Sequence, residues 1–398
     1  MPNSAVGAEV LRSINFDFHG SETGYLTHSL HPYPAKYIPQ IPRELIRELS
    51  EPGETVADIF CGSGTTLVEA LLQGRHAIGI DANPLACLIS RAKTTRLNEQ
   101  ENRLLMSLSE RADKIQTRIA PTTRATLWAQ ESFTSSAPRP DYPAIAFWFQ
   151  PFVVEELAEI LSWCRALPTE PSMTLALVAL SSIIVGVSKQ DSDTRYVRRE
   201  KKTTPGETMQ RFSRALQRSI GAVQEFSSSV DHDMNCRVLQ SNILSPPAVT
   251  PFDLMVCSPP YPNAFSYHLY HMTRMVWLGM DQPQFKKEEI GSHRKYSNRG
   301  AGGATVETFK GEFSVIFDWL GRSLKKNGFA CFVIGDSTIK GEKINNADLI
   351  SEVATNHGFV ECLRVKRQMQ STKKSFNPAI GKIKTEDVLI LQNHRATP

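Results

Sequence analysis

The apolar positions along the chain change their spacing several times, and each change marks an element. Ile41, Leu45, Ile46 and Leu49 repeat with helical spacing and predict a helix over 42–49. Residues 55–60 read as a buried strand, followed by a Gly/Ser/Thr turn. Residues 66–73 then read as a helix that stops at Gly74. A second buried strand covers 76–80 and ends on Asp81, and a helix covers 84–93. Strand, helix, strand, helix in that order predicts a parallel, doubly wound sheet. The alternation stops at residue 99. From there to 233 the spacing is mostly helical, clearest at 152–167 and 175–187, with loops near 134–143 and 188–205. Strand signals return at 236–240, 252–257, 328–334, 359–365 and 387–391, with helices expected at 267–278, 306–325 and 347–357. The polar, glycine-rich stretch 286–305 is expected to be a mobile loop.

The expected fold class is therefore α/β, with a doubly wound, mostly parallel seven-stranded sheet and a largely helical insertion. Residues 1–26 lack periodicity and read as an arm. Residues 27–98 form one half of the sheet domain, 99–233 the insertion, and 234–398 the other half. Four prolines between 32 and 42 make that stretch extended and stiff.

Composition narrows the class. Hydrophobic residues are 41% and charged residues 22%, as in an ordinary globular chain. No apolar run approaches the ~20 residues that span a bilayer. The longest candidate, 173–187, is interrupted by serines and reads as a buried helix. No secretion signal is expected at the N-terminus. The seven cysteines are scattered, with no pair at CxxC spacing, so neither a metal site nor a disulfide framework is suggested, and a cytoplasmic setting is expected. The net charge of +4 says little, but its distribution says more. Residues 195–202 hold five basic residues and one acid, and 362–384 hold seven basic residues and no acid. Such clusters suit a polyanion, although a solvated face has the same composition.

Candidate chemistry sits at two strand ends. The segment Asp58-Ile59-Phe60-Cys61-Gly62-Ser63-Gly64-Thr65-Thr66 follows a buried strand and opens a helix. Its glycines let the backbone turn sharply against a ligand. Asp81 closes the next strand, where a carboxylate accepts hydrogen bonds from ribose hydroxyls. A pyrophosphate turn wants a third glycine, and Leu67 stands there instead. A nucleoside cofactor without phosphate, S-adenosylmethionine, fits better. Asp58 is then expected to meet its ammonium group.

The second motif, Ser258-Pro259-Pro260-Tyr261, follows the strand 253–257. Two prolines remove two amide donors and leave acceptors, the Pro259 carbonyl and the Ser258 oxygen. A substrate amino group needs such acceptors to hold its hydrogens while its lone pair turns toward a methyl donor. Tyr261 offers a face on which a base stacks. Positioning would supply most of the rate, with no covalent intermediate. A base in a duplex must first be flipped out. Cys257 adjoins the motif, but it ends an apolar strand and reads as a structural thiol.

Together these residues resemble the S-adenosylmethionine-dependent amino-methyltransferases of DNA, the N4-cytosine and N6-adenine group. Asp58 to Thr66 is similar to that family's cofactor loop, with Ile59 where proline is usual. Gly79-Ile80-Asp81-Ala82-Asn83-Pro84 is similar to its ribose motif. His31-Pro32-Tyr33-Pro34-Ala35-Lys36 resembles the segment that closes over the methionine end of the cofactor. The resemblance implies that His31, Lys36, Asp58, Phe60, Gly62, Gly64, Thr65, Thr66, Asp81 and Ala82 bind the cofactor. Asn242 is expected at the adenine edge, where the family often has an acid. The catalytic residues implied are Ser258, Pro259, Pro260 and Tyr261. The serine form is typical of N4-cytosine enzymes and implies direct in-line methylation of cytosine N4.

The resemblance further implies double-stranded DNA as partner, in a restriction-modification or related prokaryotic or phage setting with a cognate restriction endonuclease. The expected DNA contacts are Arg195, Arg198, Arg199, Lys201 and Lys202, then Arg294, Lys295 and Arg299, and Lys373 and Lys374 near the C-terminus. Other readings remain open. They are N6-adenine methylation, RNA guanine-N2 methylation, protein glutamine methylation, and a non-catalytic binding protein with this fold.

Overall fold

The structure, a computed structural model, describes residues 4–119, 133–263, 265–298, 303–369 and 385–395. Its centre is one seven-stranded sheet. In chain order the strands are β1 (Thr55–Asp58), β2 (His76–Asp81), β3 (Cys236–Gln240), β4 (Phe252–Cys257), β5 (Leu324–Gly335), β6 (Phe359–Gln368) and β7 (Thr385–Asn393). Across the sheet they run β3-β2-β1-β4-β5-β7-β6. All neighbours are parallel except β7, which is antiparallel to both β5 and β6. The order reverses between β1 and β4. Loops leaving their C-terminal ends therefore splay apart and open a crevice, the usual ligand position in such sheets.

Both faces of the sheet are covered, which explains the apolar runs at 56–57, 254–257 and 329–334 within β1, β4 and β5. One face carries α1 (Ser4–Ser13), α2 (Gln40–Leu49) and α3 (Thr65–Leu72). Ile41, Leu45, Leu67 and Val68 pack there on Val56, Val256 and Val333. The opposite face carries two later helices, 306–323 and 346–356. Phe309, Phe313 and Phe317 pack there on Phe332, Met255 and Leu389.

The insertion sits in the crossover between β2 and β3. After α4 (Pro84–Thr94) come α5 (Glu99–Ile119), α6 (Pro151–Arg165), α7 (Glu170–Val187) and α8 (Glu207–Ser229). α7 has no charged residue after Glu170 and is long and apolar enough to cross a membrane by composition. It is instead the buried core helix of a bundle, its Leu175, Val178, Leu180 and Ile184 closed off by Leu85, Leu105, Leu157 and Phe212.

Several expectations change. The arm is not structureless, because α1 packs on α2 and β6. The insertion also contains a small hairpin, Gln190–Ser192 with Arg195–Arg198. In the described part of the stretch expected as a mobile loop, helix Gln282–Glu288 ends and helix His293–Ser297 follows, with Ile290, Ser292 and Tyr296 buried. A few buried groups inside a polar sequence are enough to fold it. The single helix expected at 267–278 divides into Tyr267–Tyr270 and Met272–Leu278. A hairpin at 337–344 was not expected.

Candidate active site

The crevice at the β1/β4 switch divides into two clefts. The first, about 800 Å³ with its mouth included, lies over the ends of β1, β2 and β3. Phe60, Gly62, Thr65, Asp81, Ala82 and Asn242 line it, as expected. Asp81 ties its floor together, accepting from Gly62 N and from Asn83 N at 2.8 Å each. Burial pushes its carboxyl up to about 6, against the pull of those two amides. Gly64 holds φ +77°, and a Cβ there would lie 3.1 Å from the Ser90 Cα, so the turn needs glycine at this point.

Asp58, Gly64 and Thr66 do not line the cleft and shape it from below. The Asp58 carboxylate accepts from Phe60 N at 3.0 Å and from the Thr66 hydroxyl at 2.6 Å. Asp58 is fully turned into the protein, and burial raises its carboxyl to about 7. It fixes the glycine turn from below and does not line the cleft in which its ammonium contact was expected.

The segment 25–37 crosses this cleft and is pinned at several points. His28 and Tyr25 both bond Glu69 on α3, at 2.7 and 2.6 Å. Tyr33 stacks on Tyr267 and His271. Lys36 lines the cleft, with its Nζ donating to the His28 carbonyl at 2.8 Å. Tyr37 bonds Thr66. His31 is the correction here. It lines neither cleft, because its ring is buried against α7. Burial holds the imidazole neutral, so Nδ1–H donates to the Pro32 carbonyl at 2.7 Å and Nε2 accepts from the Ser181 hydroxyl at 3.0 Å. His31 is an anchor of the segment.

The second cleft, about 1340 Å³ with its mouth included, lies over the ends of β4, β6 and β7. Ser258, Pro259, Pro260 and Tyr261 form one wall. Phe18, Phe265, Arg367 and Glu386 contribute others. The Tyr261 hydroxyl donates to Glu386 Oε1 at 2.7 Å, which fixes the ring. Gly291, at φ +72°, lies under this wall; a Cβ there would meet the Tyr261 carbonyl at 2.8 Å. The two clefts share Ala35, Lys36, Tyr37, Ser258, Pro260 and Tyr267, so they meet at the Ser-Pro-Pro-Tyr wall. Cys257, at 0% exposure, is buried beside that wall, and burial raises its thiol well above the usual range. It is not poised as a nucleophile.

Residues 15–92 match the family model described as DNA methylase. The type II methyltransferase M.MvaI of Kocuria varians is 27% identical over 281 residues, which is 66% of this chain and 60% of that protein. M.MjaII of Methanocaldococcus jannaschii is 39% identical over 74 residues, 19% of this chain and 14% of that protein. M.BglI of Bacillus subtilis is 46% identical over 52 residues, 13% and 15% respectively. The chain thus spans less than two thirds of the length of these relatives. Over residues 15–92 the chain is similar to the DNA methylases, and over a longer span to a type II methyltransferase.

The first cleft fits S-adenosylmethionine, the cofactor that the motifs around Gly62 and Asp81 imply. Asp81 faces the cleft with acceptor oxygens at the ribose level. The buried Ser63 hydroxyl lines the cleft and has no partner among the described residues. Asn242 uses Oδ1 to accept from Leu244 N, which leaves its amide nitrogen for a ligand. Ile243, Phe285 and Ile290 add apolar surface for a purine. Phe285 and Ile290 escaped the sequence reading because they lie in or beside the stretch expected as a loop.

The basic residues expected on DNA do not all face outward. The Lys201 ammonium donates to the Val185 carbonyl at 2.6 Å, capping the last turn of α7. Lys295 turns back onto the Glu289 carbonyl. Both are corrections, since each amine satisfies a local backbone acceptor. Arg195 and Arg199 flank Asp191, and Arg198 pairs with Glu200 over the Phe147 ring. Lys202 and Arg294 are exposed. Arg299, Lys373 and Lys374 lie outside the described residues. A further basic groove was not singled out. Arg211, Arg214 and Arg218 line it from one side of α8, and their spacing of three and four was a usable signal.

Proposed function

We propose that the chain methylates N4 of cytosine in double-stranded DNA, acting on a base flipped out of the helix. The observation that carries this reading is the meeting of the two clefts at Ser258 and Pro260. One cleft suits a nucleoside cofactor, and the other is walled by aromatic rings that suit a planar base. S-adenosylmethionine supplies an electrophilic methyl group. The chain's own part is to bind and orient. The Pro259 carbonyl and the Ser258 oxygen accept the two hydrogens of the amino group and set the direction of its lone pair. The Tyr261 ring, fixed through its hydroxyl, stacks the base. Tyr33 and Tyr267 cover the cofactor cleft and exclude water from the reacting centre.

The reading of cytosine over adenine follows the serine form of the tetrapeptide, Ser258, which resembles that of N4-cytosine enzymes. The relatives named as type II methyltransferases support DNA as substrate and a restriction-modification setting with a partner endonuclease. The hairpin 190–198 supports a DNA face near the active site, since Gln190 bonds the Tyr270 carbonyl at 3.0 Å and the Thr273 hydroxyl at 2.8 Å. The test is to modify a sequence-diverse plasmid with labelled cofactor, then map the modified bases and analyse the nucleosides by mass spectrometry. N4-methylcytosine is expected. N6-methyladenine as the product would reverse the base assignment, and unlabelled DNA would remove DNA as substrate. Ser258→Ala is expected to lower kcat by roughly tenfold or more while cofactor binding persists.

A further inference from the structure

The second cleft contains a buried ion pair with no part yet in the chemistry. Arg367, near the end of β6, and Glu386, near the start of β7, pair at 2.5 Å between Nη1 and Oε2. Their side chains are 6% and 7% exposed. The other Glu386 oxygen accepts the Tyr261 hydroxyl, and Arg367 Nε donates to the Phe16 carbonyl at 3.0 Å. These bonds hold the guanidinium in one orientation. Arg367 Nη2 makes no hydrogen bond to a described residue. Both side chains line the cleft that begins at Ser258.

A buried ion pair adds little net stability, because desolvation offsets most of its Coulomb energy. A pair held this rigidly in the wall of a binding cleft has a recognition role open to it. The acceptors of Ser258 and Pro259 take the amino hydrogens of cytosine and adenine alike, so they cannot choose between them. The bases differ further along the same edge. Beyond the amino group, cytosine presents two acceptors, N3 and O2. Adenine presents one, N1, followed by a C–H. A fixed N–H donor placed at the O2 position is satisfied by cytosine and left facing carbon by adenine, and leaving such a donor unpaired in a desolvated site is what discriminates. The other cation lining the cleft, Lys36, is turned to the His28 carbonyl.

We propose that Arg367, oriented by Glu386, donates to O2 of the flipped cytosine and so selects it over adenine. This rests on the cytosine reading above. The test uses duplex oligonucleotides carrying the mapped recognition site, with the target base either cytosine or a 2-aminopyridine C-nucleoside joined through C5, which keeps the amino group and the adjacent ring nitrogen and has C–H in place of the O2 carbonyl. Wild-type chain and Arg367→Ala are compared by kcat/KM on both duplexes, with cofactor affinity measured by calorimetry. The penalty for the 2-aminopyridine base should be about tenfold or more larger in the wild type than in the variant, with cofactor affinity unchanged. Equal penalties in the two proteins overturn the proposal. If Arg367→Ala does not fold, Arg367→Lys, which keeps a cationic donor, is compared instead. Its penalty should fall below the wild-type value, and a penalty equal to the wild type overturns the proposal. Wild-type methylation of adenine would overturn the base assignment itself. Methylation of cytosine with equal penalties would overturn Arg367 alone.

Discussion

Asp58 and Asp81 set how the cofactor cleft responds to pH. Both carboxyls are raised in the folded chain, to about 7 and about 6, chiefly because burial disfavours their charge. A raised carboxyl binds its proton more tightly folded than unfolded. The stability it contributes is therefore present below about pH 4 and lost as pH rises through 6 to 7. The thermal midpoint of the cofactor-free protein should show this downward contribution between about pH 4 and 7, and Asp81→Asn should flatten it. The same substitution replaces one acceptor oxygen with a donor at the ribose level. Cofactor Kd in Asp81→Asn is expected to rise by about ten- to a hundredfold at about pH 8, read by calorimetry. An unchanged Kd would remove Asp81 from the cofactor site.

Among the elements, the segment 25–37 and helix α7 depend on each other. The segment is rich in proline and has few backbone partners of its own, so side chains fix its path. His31 ties it to Ser181, and Arg274 in turn donates to the Ser181 carbonyl at 2.9 Å and pairs with Asp193. The helix is thus a platform for both the cofactor cover and the hairpin 190–198. His31→Ala should raise the cofactor KM more than it lowers kcat, because it loosens the cover without touching Ser258. Steady-state kinetics separates the two effects. Leu180→Ala, at a fully buried position, should cost about 2–5 kcal/mol of stability by denaturant unfolding.

Over the whole molecule, arginines gather in the hairpin 190–198 and along one side of α8. Arg198 and Arg199 hold only surface partners, which are worth about 0–1 kcal/mol each and are cheaply exchanged for phosphate. Charge reversal at both should weaken DNA binding and flatten its salt dependence by about one unit of slope for each phosphate no longer neutralised. Binding titrations over a range of salt measure this. Reversal at Arg214 and Arg218 serves as the comparison, and an effect confined to one pair identifies which group of arginines carries the duplex.

The sequence by itself determined the parts that depend on neighbouring residues. The strand–turn–helix at 55–72 was legible because apolar period, glycines and the helix start all lie within one short stretch. Asp81 and Ser258 to Tyr261 were legible for the same reason: each sits where an apolar strand stops. The tertiary structure decided what those motifs face. Arg367 meets Phe16 across 351 positions of chain, and only the placement of β6 at the sheet edge brings them together. His31 and Asp58 carry motif residues but turn inward, since buried partners satisfy them better than an open cleft would. Phe285 and Ile290 reach the cofactor cleft from a stretch whose polar composition hides its few buried positions. Local pattern specifies backbone and face. Burial across the sheet order specifies which faces meet, and the two clefts exist only after that step.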